Sequence, residues 1–265
     1  MATGWLERRT LLSRGILTMN TSRIQLSYVV PVYFNQRDAH TLIDLLQRYS
    51  SYAKDVTAGI QFVIVDDGSP LPIVIPEEIK LNISLYRITT DIRWNQCGAR
   101  NLGVVHAKSP RIILSDSDHY FPEKLLQGIL NSRVPKRTVY NFKRIDERGL
   151  AIGKAMNILY TSKAIFFQTL GYDEEFCGNY GYEDLYFLDF QRRVGNAIRY
   201  FTRFKKIVAT EVDRKLSYHS LARDTTVNFA LYKNKKELLR QKDPYSSHSR
   251  TILQFDWILA EERWV

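Results

Sequence analysis

The sequence predicts an α/β protein built on a mostly parallel central sheet flanked by helices. Three observations lead there. Residues 26–34 (LSYVVPVYF) and 61–65 (QFVIV) are nearly continuous apolar runs, as strands buried on both faces require. Between them Leu42, Leu45, Leu46 and Tyr49 recur at helical spacing, so the opening is β-α-β and the two strands run parallel. A further apolar run, residues 111–114, ends abruptly in Asp116-Ser117-Asp118. In such sheets ligands bind outside the carboxyl ends of the strands.

In chain order, residues 1–25 form a basic N-terminal extension carrying Arg8, Arg9 and Arg14 among Trp5, Leu11, Leu12, Ile16 and Leu17. It reads either as a short amphipathic helix suited to peripheral contact with an anionic bilayer or as a dispensable leader. The second strand ends in Asp66-Asp67-Gly68-Ser69, which serves either as a turn or as a hydrogen-bonding edge for a base and ribose next to Pro31 and Tyr33. Residues 83–88 make a third strand. In the helix that follows, Gly98, Ala99 and Gly103 permit close approach to the sheet, and Arg100 near its start is placed to reach a phosphate.

Asp116 and Asp118 alternate at the end of the fourth strand. They read either as a solvated turn or as a pair that meets one hard cation while leaving positions for diphosphate oxygens. Pro122 suits the first turn of a helix running to about Asn131. Strands are expected at residues 138–142 and 156–160, a short helix at 163–168, and a glycine- and aromatic-rich loop at 171–182. Glu183 and Asp184 then open another helix, where they are either ordinary caps or a pair that accepts a proton from a hydroxyl and holds it. Residues 198–201 and 206–212 are weaker strands. His219 is a lone histidine, a type more often packed than ligating, but it would complete a site otherwise limited to carboxylates. Residues 228–241 read as a basic helix, and residues 252–264, with Trp257 and Trp264, as an amphipathic segment. Each suits packing on the catalytic half, self-association or contact with lipid.

At 265 residues, with 45% hydrophobic and 25% charged residues, the chain has the composition of a folded protein. A net charge of +10 points to an anionic partner. Two cysteines, Cys97 and Cys177, give no disulfide framework, and no apolar run reaches membrane-spanning length, so a cytoplasmic protein is expected. No G-x-G-x-x-G joins a strand to a helix, which leaves a nicotinamide or flavin dinucleotide without support.

Taken in order, residues 30–33 (VPVY), 65–69 (VDDGS), 99–103 (ARNLG), Asp116-Ser117-Asp118, residues 181–184 (GYED) and His219 resemble the family 2 glycosyltransferases of GT-A fold. Residues 178–184 (GNYGYED) also resemble the acceptor-side motif of β-galactosyl- and N-acetylgalactosaminyl-transferases and of some bacterial capsule polymerases. The resemblance implies an inverting hexosyltransferase of polysaccharide biosynthesis type, working with Mn2+ or Mg2+. Its donor is a nucleotide sugar, a UDP-hexose or UDP-N-acetylhexosamine foremost, and its acceptor a hydroxyl of a glycan, glycolipid or glycoprotein.

By the same resemblance Pro31, Tyr33, Asp66 and Asp67 face the base and ribose, and Arg100 the diphosphate or donor sugar. Asp116 faces the ribose and sugar and joins Asp118 and His219 around the metal. Asp184 is the general base and Glu183 grips the acceptor. Residues 26–223 form the catalytic domain, with a nucleotide-binding half (26–121) and an acceptor half (122–223), followed by a C-terminal helical segment (224–265). Members of the family often carry a longer acceptor-binding or membrane-spanning tail than is seen here. A sugar nucleotidyltransferase would need a glycine-rich basic loop after the first strand, where residues 33–38 (YFNQRD) stand instead. A basic nucleic-acid- or lipid-binding module draws on the charge alone, and no nucleic-acid-binding signature is present.

Overall fold

The computed structural model describes residues 23–35, 39–202, 205–211 and 219–265. The basic extension up to residue 22, part of the turn after the first strand and residues 212–218 lie outside the described residues.

The strands are β1 (Leu26–Val32), β2 (Ile60–Asp66), β3 (Asn82–Ile88), β4 (Arg111–Leu114), β5 (His119–Tyr120), β6 (Thr138–Ile145), β7 (Ala151–Ser162), β8 (Ala197–Tyr200), β9 (Ile207–Ala209) and β10 (Trp257–Arg263). The helices are α1 (His40–Ser50), α2 (Lys54–Thr57), α3 (Gln96–His106), α4 (Glu123–Leu130), α5 (Lys163–Gln168), α6 (Glu183–Arg193) and α7 (Thr226–Leu239). The sheet order is β10-β3-β2-β1-β4-β7-β6-β9-β5, with β8 alongside β6. The four strands β3-β2-β1-β4 are mutually parallel. The flanks are mixed, since β10 on β3, β7 on β4 and on β6, and β5 on β9 are antiparallel.

Strand alternation sorts the core into two layers. Tyr28, Val30 and Val32 of β1 point to the face covered by α1 and α4, where Leu42, Leu45, Leu46 and Tyr49 meet Leu125, Leu126 and Ile129. Val29, Val63 and Val65 point to the opposite face, against Leu102 and Val104 of α3, Phe166 of α5 and Phe187 of α6. Burying each such side chain stabilises the fold by about 1.5–3 kcal/mol. The close approach expected of α3 is present, because a Cβ on Gly103 would collide with Val29 of β1. On the other face the Tyr49 hydroxyl donates to Tyr28 Oη (2.9 Å) and accepts from the Phe121 amide (3.0 Å), which fixes the chain just beyond Asp118.

Two expectations are corrected. Residues 257–263, expected within a helical segment, form strand β10, because the edge of β3 supplies a ladder that an isolated amphipathic segment lacks. Pro122 sits one residue outside α4, at its N-cap.

Candidate active site

Because β1 lies between β2 and β4 and all three are parallel, their carboxyl ends open at one edge. The Asp67 amide donates to Val32 O (2.8 Å) and the Ser115 amide to Val29 O (3.0 Å), so both acidic segments are tied to β1 where they reach that edge. They meet a cavity of about 710 Å³. Pro31, Tyr33, Asp67, Asp116, Asp118, Glu183, Asp184 and His219 all line it.

The opposite wall is the 171–182 loop with the first turn of α6. Asn101 of α3 anchors the loop by donating to Tyr172 O (2.9 Å) and Glu174 Oε1 (2.8 Å) and accepting from the Tyr172 amide (2.8 Å). Farther on, the Gly178 amide donates to Arg93 O (2.7 Å). Asn228 of α7 donates to Phe176 O (3.0 Å) and Asn179 O (2.9 Å). The ring of Tyr182 stacks on Tyr232 at 5.3 Å, so α7 packs on this wall. The loop enters α6 through Gly181 (φ 90°) and Tyr182 (φ 70°), both left-handed. A bulky residue held there is strained, and the packing of its ring on α7 offsets that cost.

The two walls share one cation. Arg100 has no exposed surface. Its Nη2 donates to Asp116 Oδ1 (3.1 Å) and its Nη1 to Asp184 Oδ1 (2.5 Å). The Tyr172 hydroxyl donates to the same Asp184 oxygen (2.8 Å). Burial works against the charged guanidinium, but Asp184, Tyr172 and Asp116 beside it outweigh burial and hold its pKa well above the ordinary value. Asp116 is pushed up by burial despite Arg100. Glu183, 7% exposed, is raised to about 8 by burial and then by Asp184 next to it. Burial thus favours the protonated form of Glu183 near neutral pH. Asp67 is likewise raised by burial, and its Oδ1 has no hydrogen-bond partner among the described residues.

Two sequence expectations change. Asp66 is off the cavity: its side chain, 1% exposed, accepts from Arg87 Nη1 (2.7 Å) and from the Ser69 amide (2.8 Å), so it caps a turn. Arg100 does not reach outward to a diphosphate, because it is sealed between two carboxylates. Asp116 lines the cavity with its Oδ1 accepting from Arg100 and its Oδ2 from the Asn157 amide group. Among the described residues no group of three His, Cys, Asp or Glu side chains is placed to hold a metal ion.

Asn157, Gln96, Tyr172 and Trp94 were missed as site residues. Asn157, a polar residue in the apolar run of residues 156–160, broke the pattern of its strand and was a readable signal. Trp94 (φ 53°) packs on Tyr180 and His219, each at 4.7 Å, and nothing local in the sequence marks it.

A mostly parallel sheet with carboxylates at its strand ends, facing a second wall that opens with Glu-Asp, is the architecture of the GT-A nucleotide-sugar transferases. The chain belongs to glycosyl transferase family 2, whose model matches residues 27–184, and it is a glycosyltransferase. Solved structures of the same fold include TarS of S. aureus in complex with UDP-GlcNAc, with a TM-score of 0.58, 14% identity, and coverage of 84% of this chain and 69% of that one. A mannosyltransferase of Pyrobaculum calidifontis, in complex with GDP-Man and Mn2+, gives 0.52 and 14% over 84% and 68%. The catalytic domain of Drosophila beta1,4galactosyltransferase 7, in complex with xylobiose, gives 0.50 and 15% over 87% and 83%. No curated protein matches the chain. No helix among the described residues is long and apolar enough to cross a membrane.

Proposed function

We propose that this glycosyltransferase moves a hexose or N-acetylhexosamine from a UDP-sugar to a hydroxyl of a glycan or glycolipid, inverting the anomeric carbon in a single displacement. The observation that carries the reading is one cavity with Asp67, Asp116 and Asp118 on one wall and Glu183 and Asp184 on the other. Asp184 takes the proton of the attacking hydroxyl as its oxygen bonds to the anomeric carbon. The bond from that carbon to the diphosphate oxygen breaks on the opposite face, and the electron pair leaves with the nucleoside diphosphate. Glu183, protonated near neutral pH, donates a hydrogen bond to the acceptor. The unsatisfied Oδ1 of Asp67, beside Pro31 and Tyr33, suits a donor N–H or O–H of a base or ribose.

The residues fit a divalent cation. Asp118, whose Oδ1 also bonds His119 Nδ1 (2.6 Å), offers a hard carboxylate and His219 an imidazole on the same cavity, donor types suited to Mn2+ or Mg2+. Asp118 and His219 would hold the ion, whose chemistry there is to offset charge on the departing diphosphate. Support for a nucleotide-sugar donor also comes from the UDP-GlcNAc and GDP-Man named for the TarS and Pyrobaculum structures, and for the metal from the Mn2+ of the latter.

The test is a panel of UDP-, GDP- and TDP-sugars with Mn2+, scored for nucleotide release. A UDP-sugar should be turned over most rapidly. Release from none of them rejects the reading.

A further inference from the structure

The proposed reaction needs an attacking hydroxyl, activated on one wall, to meet an anomeric carbon held on the other with an error well under 1 Å. The two walls come from separate stretches of chain, and one of them is a loop. Something must hold them in register.

We propose that Arg100 is a positioning residue, whose buried guanidinium locks the base carboxylate Asp184 to the donor-side carboxylate Asp116 without touching a ligand itself. The inference rests on the function proposed above and departs from the phosphate contact expected of this arginine. A guanidinium is a rigid planar fork that can bond two separate acceptors at once, and here each terminal nitrogen takes one carboxylate. A lysine at this position keeps the charge but presents one point donor, so it cannot span both.

The fork is itself fixed. Arg100 sits on α3, which Gly103 lets pack directly on β1. The neighbouring Asn101 pins the Tyr172 backbone, and the Tyr172 hydroxyl donates to Asp184 and accepts from Arg100 Nη1 (3.3 Å). Three successive features of the motif thus act together: Arg100 ties the two walls, Asn101 ties the loop, and Gly103 ties the helix to the sheet.

The experiment compares wild type, R100K and Y172F by calorimetric binding of UDP in Mn2+ and by nucleotide release from the preferred UDP-sugar. A positioning role predicts that R100K binds UDP within about twofold of wild type while kcat falls about a hundredfold, the usual scale for misplaced reacting groups. UDP affinity weakened tenfold or more with kcat retained would put the guanidinium on the diphosphate and overturn the proposal. So would an R100K enzyme unchanged in both. Y172F removes the hydroxyl that bonds both Asp184 (2.8 Å) and Arg100 (3.3 Å) without touching the charge, and keeps the test decisive if R100K does not fold. Its kcat should fall about fivefold, as for loss of about 1 kcal/mol, with UDP affinity unchanged. An unaltered kcat in Y172F counts against the lock. Failure of the glycosyltransfer reading shows separately, in the wild type, as no release from any nucleotide sugar, and would overturn the proposal with it.

Discussion

The two walls of the cavity are built in opposite ways. On the first, Asp67, Asp116 and Asp118 follow directly from β2 and β4, parallel strands in register with β1, so their backbone positions are set by the sheet. On the second, Glu183 and Asp184 follow a loop that reaches them through two consecutive left-handed residues and is held by side chains of α3 and α7, chiefly Asn101 and Asn228. None of Asp67, Asp116 and Asp118 is held at a positive φ, and the second wall depends on glycine, ring packing and Arg100. A substitution on the first wall should therefore remove one chemical function cleanly, whereas one on the second should disturb function and local stability together.

The largest effect is expected at Asp118. D118A should abolish Mn2+-dependent UDP binding and lower turnover by about a thousandfold or more, consistent with several kcal/mol of charge stabilisation. UDP affinity identical with and without Mn2+ in wild type and variant would reject the metal role. D184N comes next, with turnover lower by about a hundred- to ten-thousandfold, the range of general-base catalysis, and UDP affinity retained in calorimetry. Near-normal turnover would move the base elsewhere.

G181A tests the strained wall directly. The position has φ 90°, and an added Cβ would also meet Thr225 Cγ2 at 3.3 Å. A cost of about 1–2 kcal/mol is expected, a Tm lower by roughly 2–6 °C by calorimetry, with acceptor KM rising more than UDP Kd. An unchanged Tm would mean that the loop adapts freely.

The smallest effect lies in pH. Glu183 is raised to about 8 in the folded protein against an ordinary 4.5. Between those values the folded state binds the extra proton, so this group makes stability fall as pH rises through the window and contributes no further change above it. If the protonated form grips the acceptor, wild-type kcat/KM should decline above about pH 8, and E183Q should lose that alkaline limb. A limb that survives in E183Q belongs to another group.

The contrast between walls also explains what the sequence disclosed. Strand ends were legible because burial on both faces leaves an uninterrupted apolar run, and the acidic residues that stop each run mark the edge. The loop wall was legible only as a cluster of glycine and tyrosine, because its shape comes from distant partners such as Asn101, Asn228 and Tyr232. Asp66 and Asp67 stand side by side in the chain but on different sides of the strand, and alternation alone could not say which one faced the cavity. Arg100 was placed near a phosphate because its burial between two carboxylates exists only once the walls close. Residues 257–263 lacked strand alternation, and the unfilled edge of β3 decided their form.

That last pairing has a kinetic consequence. Arg263 donates to the carbonyls of Pro76 and Ile79, and the Val265 amide to Asn82 Oδ1, so a hem stitched from the 257–265 stretch finishes an edge laid down by residues 82–88. Such a distant closure is slow to form relative to the local β-α-β units. During synthesis β3 stays raw until the hem arrives, and cutting the chain after α7 should leave a sticky margin that recruits neighbouring molecules into soluble aggregates.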